Sequence, residues 1–181
     1  MNNMNTTPAR GNCAHEESLR LWLDAQLREN ELIIAPEQFW TPIRGDAGFR
    51  QYYRLHTKPS TIAVFSPPET EDNAQFCRIA HAFREHGVHT PNVIAHDFSH
   101  GFMLLEDLGN DLVLSDLSDE SVEGLYAAAM MSLLRIQQCP LDYSVYPQYD
   151  ETKLREEMSL FTLWFVSELL GHEVSQAESN M

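Results

Sequence analysis

The sequence predicts an α+β fold, in which a five-stranded antiparallel sheet with one packed helix precedes the first helices of an incomplete helical lobe. Two observations support this prediction. Apolar residues recur with the period of a strand in three consecutive segments and in two later ones, with one helical segment between the groups. Beyond residue 109 the apolar pattern is helical throughout. We therefore expect a disordered arm over residues 1–14, a sheet domain over 15–109 and a helical part over 110–181.

An amphipathic helix over residues 16–28 is predicted to precede the sheet, because its apolar residues have helical spacing. The first three strands are predicted over residues 39–44, 50–56 and 61–65, which are rich in β-branched and aromatic residues. A turn that contains two glycines joins the first two strands, and residues 57–60 join the second and third. These segments form the first half of the predicted sheet.

The next group of elements begins after two prolines, which end the third strand. Three acidic residues between positions 69 and 72 lie where the dipole of a following helix favours negative charge. That helix is predicted to end at Gly87. The last two strands are predicted over residues 92–98 and 102–106, joined by a short Ser-His-Gly turn.

Two apolar stripes mark the helices of the second part, and their spacing predicts that both belong to a core. The first stripe comprises Val122, Leu125, Tyr126, Ala129, Met130, Leu133 and Leu134. The second comprises Leu154, Met158, Phe161, Phe165 and Leu169, with Trp164 beside it. Residues 175–181 have the composition of a helix start, yet no helix follows. We therefore expect that the chain is cut inside a domain and that these stripes are left uncovered.

The charge balance excludes several classes of partner. The chain has 12 basic and 27 acidic residues and a net charge of −15, so it repels nucleic acid and anionic lipids. No apolar run reaches membrane-spanning length, and residues 1–12 lack the apolar segment of a secretory signal. We expect a cytoplasmic protein that binds neither nucleic acid nor membrane.

The cysteines and histidines form no pattern of metal ligands. Cys13, Cys77 and Cys139 are widely spaced, which favours reduced thiols over a disulfide framework or a zinc site. His81 and His86 lie five positions apart on a predicted helix and therefore do not share a face. We expect these histidines on the surface, without a metal.

Residues 101–109 are the most informative segment, because an apolar run ends there in Glu106, Asp107, Leu108 and Gly109. A buried strand followed by an abrupt polar connection has two interpretations. It is either an ordinary strand end or a hinge whose free backbone groups pair with adenine. We expect the side chains of Glu106 and Asp107 to diverge and to cap the hinge rather than to act as an acid and a base.

The second candidate site is the turn between the first two strands. It consists of Gly45, Asp46, Ala47, Gly48, Phe49 and Arg50, with Arg44 before it. Glycines let backbone N–H groups approach a ligand closely, and such groups can form an anion-binding concavity. Arg54 continues the strand face of Arg50 and adds positive charge. The alternative interpretation is an ordinary hairpin whose arginines face solvent and pair with surface carboxylates.

These segments occur in an order that resembles the aminoglycoside phosphotransferase family of protein-kinase-like enzymes. The matching segments are residues 45–54, 66–69, 87–91, 105–109, 149–150 and 154–161, together with Trp164. Within the family they are most similar to the cytoplasmic kinases that act on the anomeric hydroxyl of N-acetylmuramate and N-acetylglucosamine in cell-wall recycling. The resemblance extends from about residue 17 to the end of the chain.

The resemblance implies a nucleotide and a small amino sugar as ligands, with ATP and Mg²⁺ as cofactors of the complete enzyme. Residues 45–50 would cover the ATP phosphates, and the backbone of Glu106, Asp107 and Leu108 would hold adenine. No catalytic or metal-binding residue of the family pattern falls within this chain.

The sequence departs from the family pattern at three points. Gly48 stands where serine is common. The strand over 61–65 has no lysine for the phosphates, Lys58 lies before it, and the following helix has no evident glutamate partner. The catalytic HxDxxxxN loop and the metal-binding aspartate are missing, since His172, the only histidine after the hinge, begins no such loop. We therefore expect this chain alone to be inactive; the alternative is a non-catalytic remnant that binds a nucleotide or a protein.

Overall fold

The computed structural model describes residues 12–34, 39–43 and 48–175. They divide into two compact units, one that ends at Pro140 and one that begins at Leu141. Most of the predicted disordered arm lies outside the described residues, whereas residues 12–14 of it are helical. The domain boundary predicted after residue 109 stays a prediction.

Among the described residues, seven strands form two antiparallel sheets in the first unit. In chain order they are β1 (Ile33–Ile34), β2 (Trp40–Ile43), β3 (Gln51–Leu55), β4 (Thr57–Lys58), β5 (Thr61–Phe65), β6 (Val93–Asp97) and β7 (Phe102–Glu106). The order β2-β3-β5-β7-β6 makes the predicted five-stranded sheet, with β2 and β6 at its edges. β1 and β4 form a separate pair that the sequence does not predict, because two residues carry no period.

Helix α1 (Asn12–Glu29) covers one face of the five-stranded sheet. It buries Leu19, Leu23 and Leu27 against residues of β3, β5 and β7. Trp22, which the sequence places on the same helix face, is partly buried beside them. The amphipathic spacing therefore predicted both the helix and the side that it buries.

Helix α2 (Asn73–Glu85) covers the opposite face, where Phe76 and Cys77 pack against the sheet. The predicted acidic start of α2 is confirmed, because the side chain of Asp72 accepts a hydrogen bond of 2.8 Å from a backbone N–H of the first turn. The helix ends before Gly87, whose φ of 75° favours glycine. Alternate residues of β5 and β7 face α1 and α2 in turn, so both strands are buried on two sides.

Helical segments follow the sheet. They are α3 (Val113–Asp116) and α4 (Val122–Gln138) in the first unit, and α5 (Glu151–Leu160) and a π-helix (Phe161–Leu169) in the second. No described residue after Leu105 is buried. Most side chains of the two stripes are exposed, in agreement with the expectation that the stripes are left uncovered; Met130 on α4 is 63% exposed and Trp164 on the π-helix 62%. None of the described helices has the length and apolarity that crossing a membrane requires.

Candidate functional site

The predicted hinge begins where β7 ends, and two adjacent carboxylates leave it in different directions. Glu106 extends toward α2 and the residue before β6, since its Oε2 accepts hydrogen bonds from the Arg84 guanidinium at 3.2 Å and from the N–H of Asn92 at 3.0 Å. Asp107 instead contacts β3 through Arg54. The expected divergence of the two side chains is confirmed, and each carboxylate binds a different element of the sheet domain.

Asp107 accepts hydrogen bonds from four donors. They are Nε and Nη2 of Arg54 at 2.6 and 2.9 Å, Oγ of Ser60 at 2.7 Å and the N–H of Gly109 at 2.9 Å. Its side chain is only 7% exposed. Burial alone would raise the pKa of Asp107, but these hydrogen bonds outweigh burial and lower the pKa to about 2. The carboxylate is therefore ionised and caps the hinge, as the sequence predicts.

Leu108 carries the exposed backbone of the hinge. The residue is 50% exposed, and no described residue forms a hydrogen bond with its N–H or C=O. Gly109 follows with a φ of 90°, a conformation that residues with a side chain rarely adopt. The backbone of Leu108 therefore has one hydrogen-bond donor and one acceptor that no described residue engages.

An apolar pocket of about 400 Å³ lies beside the hinge. Its apolar lining comes from the α2-facing side of the sheet and comprises Ile43, Tyr52, Ile62 and Leu105. Residues 106–110 form its polar edge, together with Arg54. An apolar cavity with backbone donors and acceptors at one edge matches the chemistry of a flat heteroaromatic ring.

The turn between β2 and β3 is only partly described. Gly45, Asp46 and Ala47 lie outside the described residues. Gly48 has a φ of 153°, which residues with a side chain rarely adopt, and this accounts for glycine where the resemblance expects serine. Phe49 is 63% exposed. The role of these residues in ligand binding stays a prediction.

Arg50 lies just before β3 and is paired with residues near the start of α2. Its Nη2 lies 2.9 Å from Oε2 of Glu71, and its Nε donates to Oγ of Ser66 at 3.1 Å. The guanidinium also lies over the ring of Phe76, 5.1 Å from the centroid. The sequence did not reveal Glu71 as the partner of Arg50. Glu71 precedes α2, and the ion pair joins two segments that are separate in the chain.

Arg54 shares the strand face of Arg50, but its guanidinium is paired with Asp107 and does not lie beside the turn. Arg50 and Arg54 share a face of the strand, but four residues of extended chain separate them by roughly 13 Å. Arg54 lies at the hinge end, where it binds Asp107. The two arginines therefore mark opposite ends of the strand face that lines the pocket.

A second cavity, of about 480 Å³, lies between α2 and β6. Its charged side chains are engaged with other groups, since His81 lies 3.6 Å from Glu85 and Arg84 lies 3.2 Å from Glu106. The hinge pocket is therefore the stronger candidate for a ligand. Within the described ranges, no group of three or more His, Cys, Asp or Glu side chains could hold a metal ion.

A five-stranded antiparallel sheet with a packed helix, a capped hinge and an apolar pocket beside it define a domain of the protein-kinase-like class. The chain belongs to the phosphotransferase enzyme family, which matches residues 40–178. The resemblance predicted from the sequence is thereby confirmed.

Curated proteins similar to this chain carry one name. This chain is 34% identical to the N-acetylmuramate/N-acetylglucosamine kinase of Pseudomonas putida over 167 residues, which cover 90% of this chain and 49% of the relative. The kinase of that name from Pseudomonas aeruginosa is also 34% identical, over 89% of this chain and 49% of its own length. The one from Neisseria meningitidis is 28% identical, over 87% and 46%. The chain spans about half the length of these relatives.

Proposed function

We propose that this chain is the ATP-binding part of a kinase that phosphorylates an amino sugar, with N-acetylmuramate or N-acetylglucosamine as the acceptor. The observation that carries the proposal is the apolar pocket beside Leu108, whose backbone N–H and C=O have no partner among the described residues. An adenine ring would fill this pocket and pair with those two groups. The names of the three relatives support the choice of acceptor.

The opposite end of the pocket face would hold the phosphates of ATP. Residues 45–50 directly precede β3 in the chain, and Arg50 is held before the strand by Glu71 and Ser66. ATP supplies the phosphoryl group that is transferred. The chain's own contribution in this proposal is to bind the nucleotide and to orient its phosphates.

Transfer itself needs a base for the sugar hydroxyl and carboxylates for Mg²⁺. The described residues hold no cluster of such ligands, and the sequence after the hinge contains no HxDxxxxN motif. We therefore propose that the residues present bind the nucleotide without transferring phosphate. A cytoplasmic location belongs to the same proposal, because ATP is available there.

An assay of ADP release tests the missing chemistry. With ATP, Mg²⁺ and either amino sugar, the chain is expected to show no turnover above the rate measured without protein, because the described residues hold no cluster of metal ligands and no HxDxxxxN motif follows the hinge. Turnover that persists after repurification would contradict this and would require a catalytic group within the 181 residues.

Two substitutions of Leu108 test the hinge. Leu108→Pro removes the backbone N–H, whereas Leu108→Ala removes only the side chain and serves as the matched control. Calorimetric titration with ATP should show binding to the wild type and to the alanine variant, and about tenfold weaker binding to the proline variant, because a lost hydrogen bond costs roughly 0.5–1.5 kcal/mol. Thermal melting checks that the proline variant is folded. Equal affinities of the two variants would place the nucleotide elsewhere, and a wild type that binds no ATP would favour the protein-binding remnant.

A further inference from the structure

Arg54 uses all three guanidinium nitrogens at the hinge. Its Nε and Nη2 contact the two oxygens of Asp107 at 2.6 and 2.9 Å. Its Nη1 donates to Oδ1 of Asn110 at 2.6 Å, and Nη2 also donates to the C=O of Gly109 at 3.2 Å. These contacts join β3 to a segment that lies 53 positions later in the chain.

Two further bonds complete this arrangement. Oγ of Ser60 donates to Asp107 at 2.7 Å, and the N–H of Gly109 donates to the other carboxylate oxygen at 2.9 Å. A two-point contact between arginine and a carboxylate fixes orientation as well as distance. The residues on both sides of Leu108 are thus held, while the backbone of Leu108 has no partner among the described residues.

We infer that Arg54 is a positioning residue, which fixes the hinge so that the backbone of Leu108 is presented to a nucleotide base. The inference rests on the proposed nucleotide binding. A hinge that is fixed before the ligand arrives loses less conformational freedom on binding, and this favours affinity. Every guanidinium nitrogen of Arg54 has a partner in the hinge. Arg54 also lies roughly 13 Å along the strand from Arg50. It therefore acts on the base and not on the phosphates.

Binding of two ligands separates these roles. Arg54→Ala and Arg54→Lys are compared with Arg78→Ala, which removes the same charge from an exposed arginine of α2 that has no partner among the described residues. ATP is titrated by calorimetry and adenosine by ligand-observed NMR. Both Arg54 variants are expected to lower the affinities for ATP and for adenosine by a similar factor of about ten, since neither alanine nor lysine can make the two-point contact. Arg78→Ala should leave both affinities unchanged. A lower affinity for ATP alone, or unchanged affinities for both ligands, would overturn the inference.

Hydrogen exchange without a ligand tests the hinge independently of nucleotide binding. In Arg54→Ala the N–H of Gly109 should exchange at least about tenfold faster than in Arg78→Ala, while the amides of α1 keep their protection. Equal rates at Gly109 would overturn the positioning role. Faster exchange in α1 as well would assign Arg54 to the stability of the whole domain and would also overturn it. If the wild type binds neither ligand, the proposed function fails, and the exchange rates still decide whether Arg54 fixes the hinge.

Discussion

The sheet region, residues 15–105, and the helical region, residues 113–169, differ in what covers their apolar side chains. Both regions have regular apolar periods in the sequence. In the sheet region α1 and α2 cover the two faces, and Leu104 is fully buried. In the helical region Met158 is 72% exposed and Phe161 62%. Periodicity therefore predicts which side chains share a face, but it does not predict whether another element covers that face.

The difference in burial has an energetic consequence. Burying a large apolar side chain contributes roughly 1.5–3 kcal/mol, and a whole domain is stable by only about 5–15 kcal/mol. Several such contributions are absent from the helical region, where no described residue is buried. Its exposed apolar surface also favours self-association and the binding of hydrophobic dyes. We expect the sheet region to be the more stable of the two.

Hydrogen exchange along the whole chain should give the largest effect. Amides of β5 and β7, which lie inside the sheet, are expected to exchange at least about a thousandfold more slowly than those of α4 and α5, because their opening requires unfolding of the core. Mass spectrometry of peptic peptides measures both sets in one experiment. Equal and strong protection in a monodisperse monomer would contradict the comparison and would show that the helical region is stable without further cover.

Matched leucine truncations should give the next largest effect. Leu104→Ala removes a fully buried side chain, whereas Leu133→Ala removes one that is 52% exposed. The first is expected to lower the free energy of unfolding by about 2–5 kcal/mol and the second by less than about 0.5 kcal/mol. Urea unfolding followed by circular dichroism measures both. Similar losses would mean that α4 is covered in solution, for instance by a second copy of the chain.

The pH dependence of Asp107 should give the smallest effect. Its pKa of about 2 lies below the ordinary value of ~3.9, so the folded state favours the ionised form. The resulting stabilisation, on the order of 2 kcal/mol, is present above about pH 4 and is lost as the pH falls toward 2. The free energy of unfolding of the wild type should exceed that of Asp107→Asn most at neutral pH, and the difference should shrink in acid. A difference that stays constant from pH 6 to pH 2.5 would contradict the assigned role of Arg54.

Much of the fold could be predicted because its signals are local. The strands over 61–65 and 102–106 have the predicted bounds, since continuous apolar runs end at clear breaks. The second apolar stripe predicted a helix, but the residues from Phe161 onward form a π-helix, in which the N–H of Leu170 bonds to the C=O of Phe165. Apolar spacing does not distinguish these two backbone patterns.

The site was harder to predict than the fold, because its contacts join distant segments. The polar break after β7 predicted where β7 ends and named the candidate hinge residues. Their partners were not, since Arg54 and Asp107 lie 53 positions apart and Arg54 carries no local sign of its target. Arg50 was assigned to the turn, but its pairing with Glu71 depends on how α2 packs against the sheet. Sequence patterns of this kind name candidate residues; packing decides which of them meet.

The opposite directions of Glu106 and Asp107 also determine where the chain can pivot. Glu106 is bound to α2 through Arg84, and Asp107 is bound to β3 through Arg54. A backbone rotation at either residue would break a charged contact, and Arg54 extends this restraint to Asn110. The first residues that can turn without such a loss are 111 and 112, which are both exposed. A rotation of the following segment at residues 111 and 112 would therefore leave the backbone of Leu108 in place.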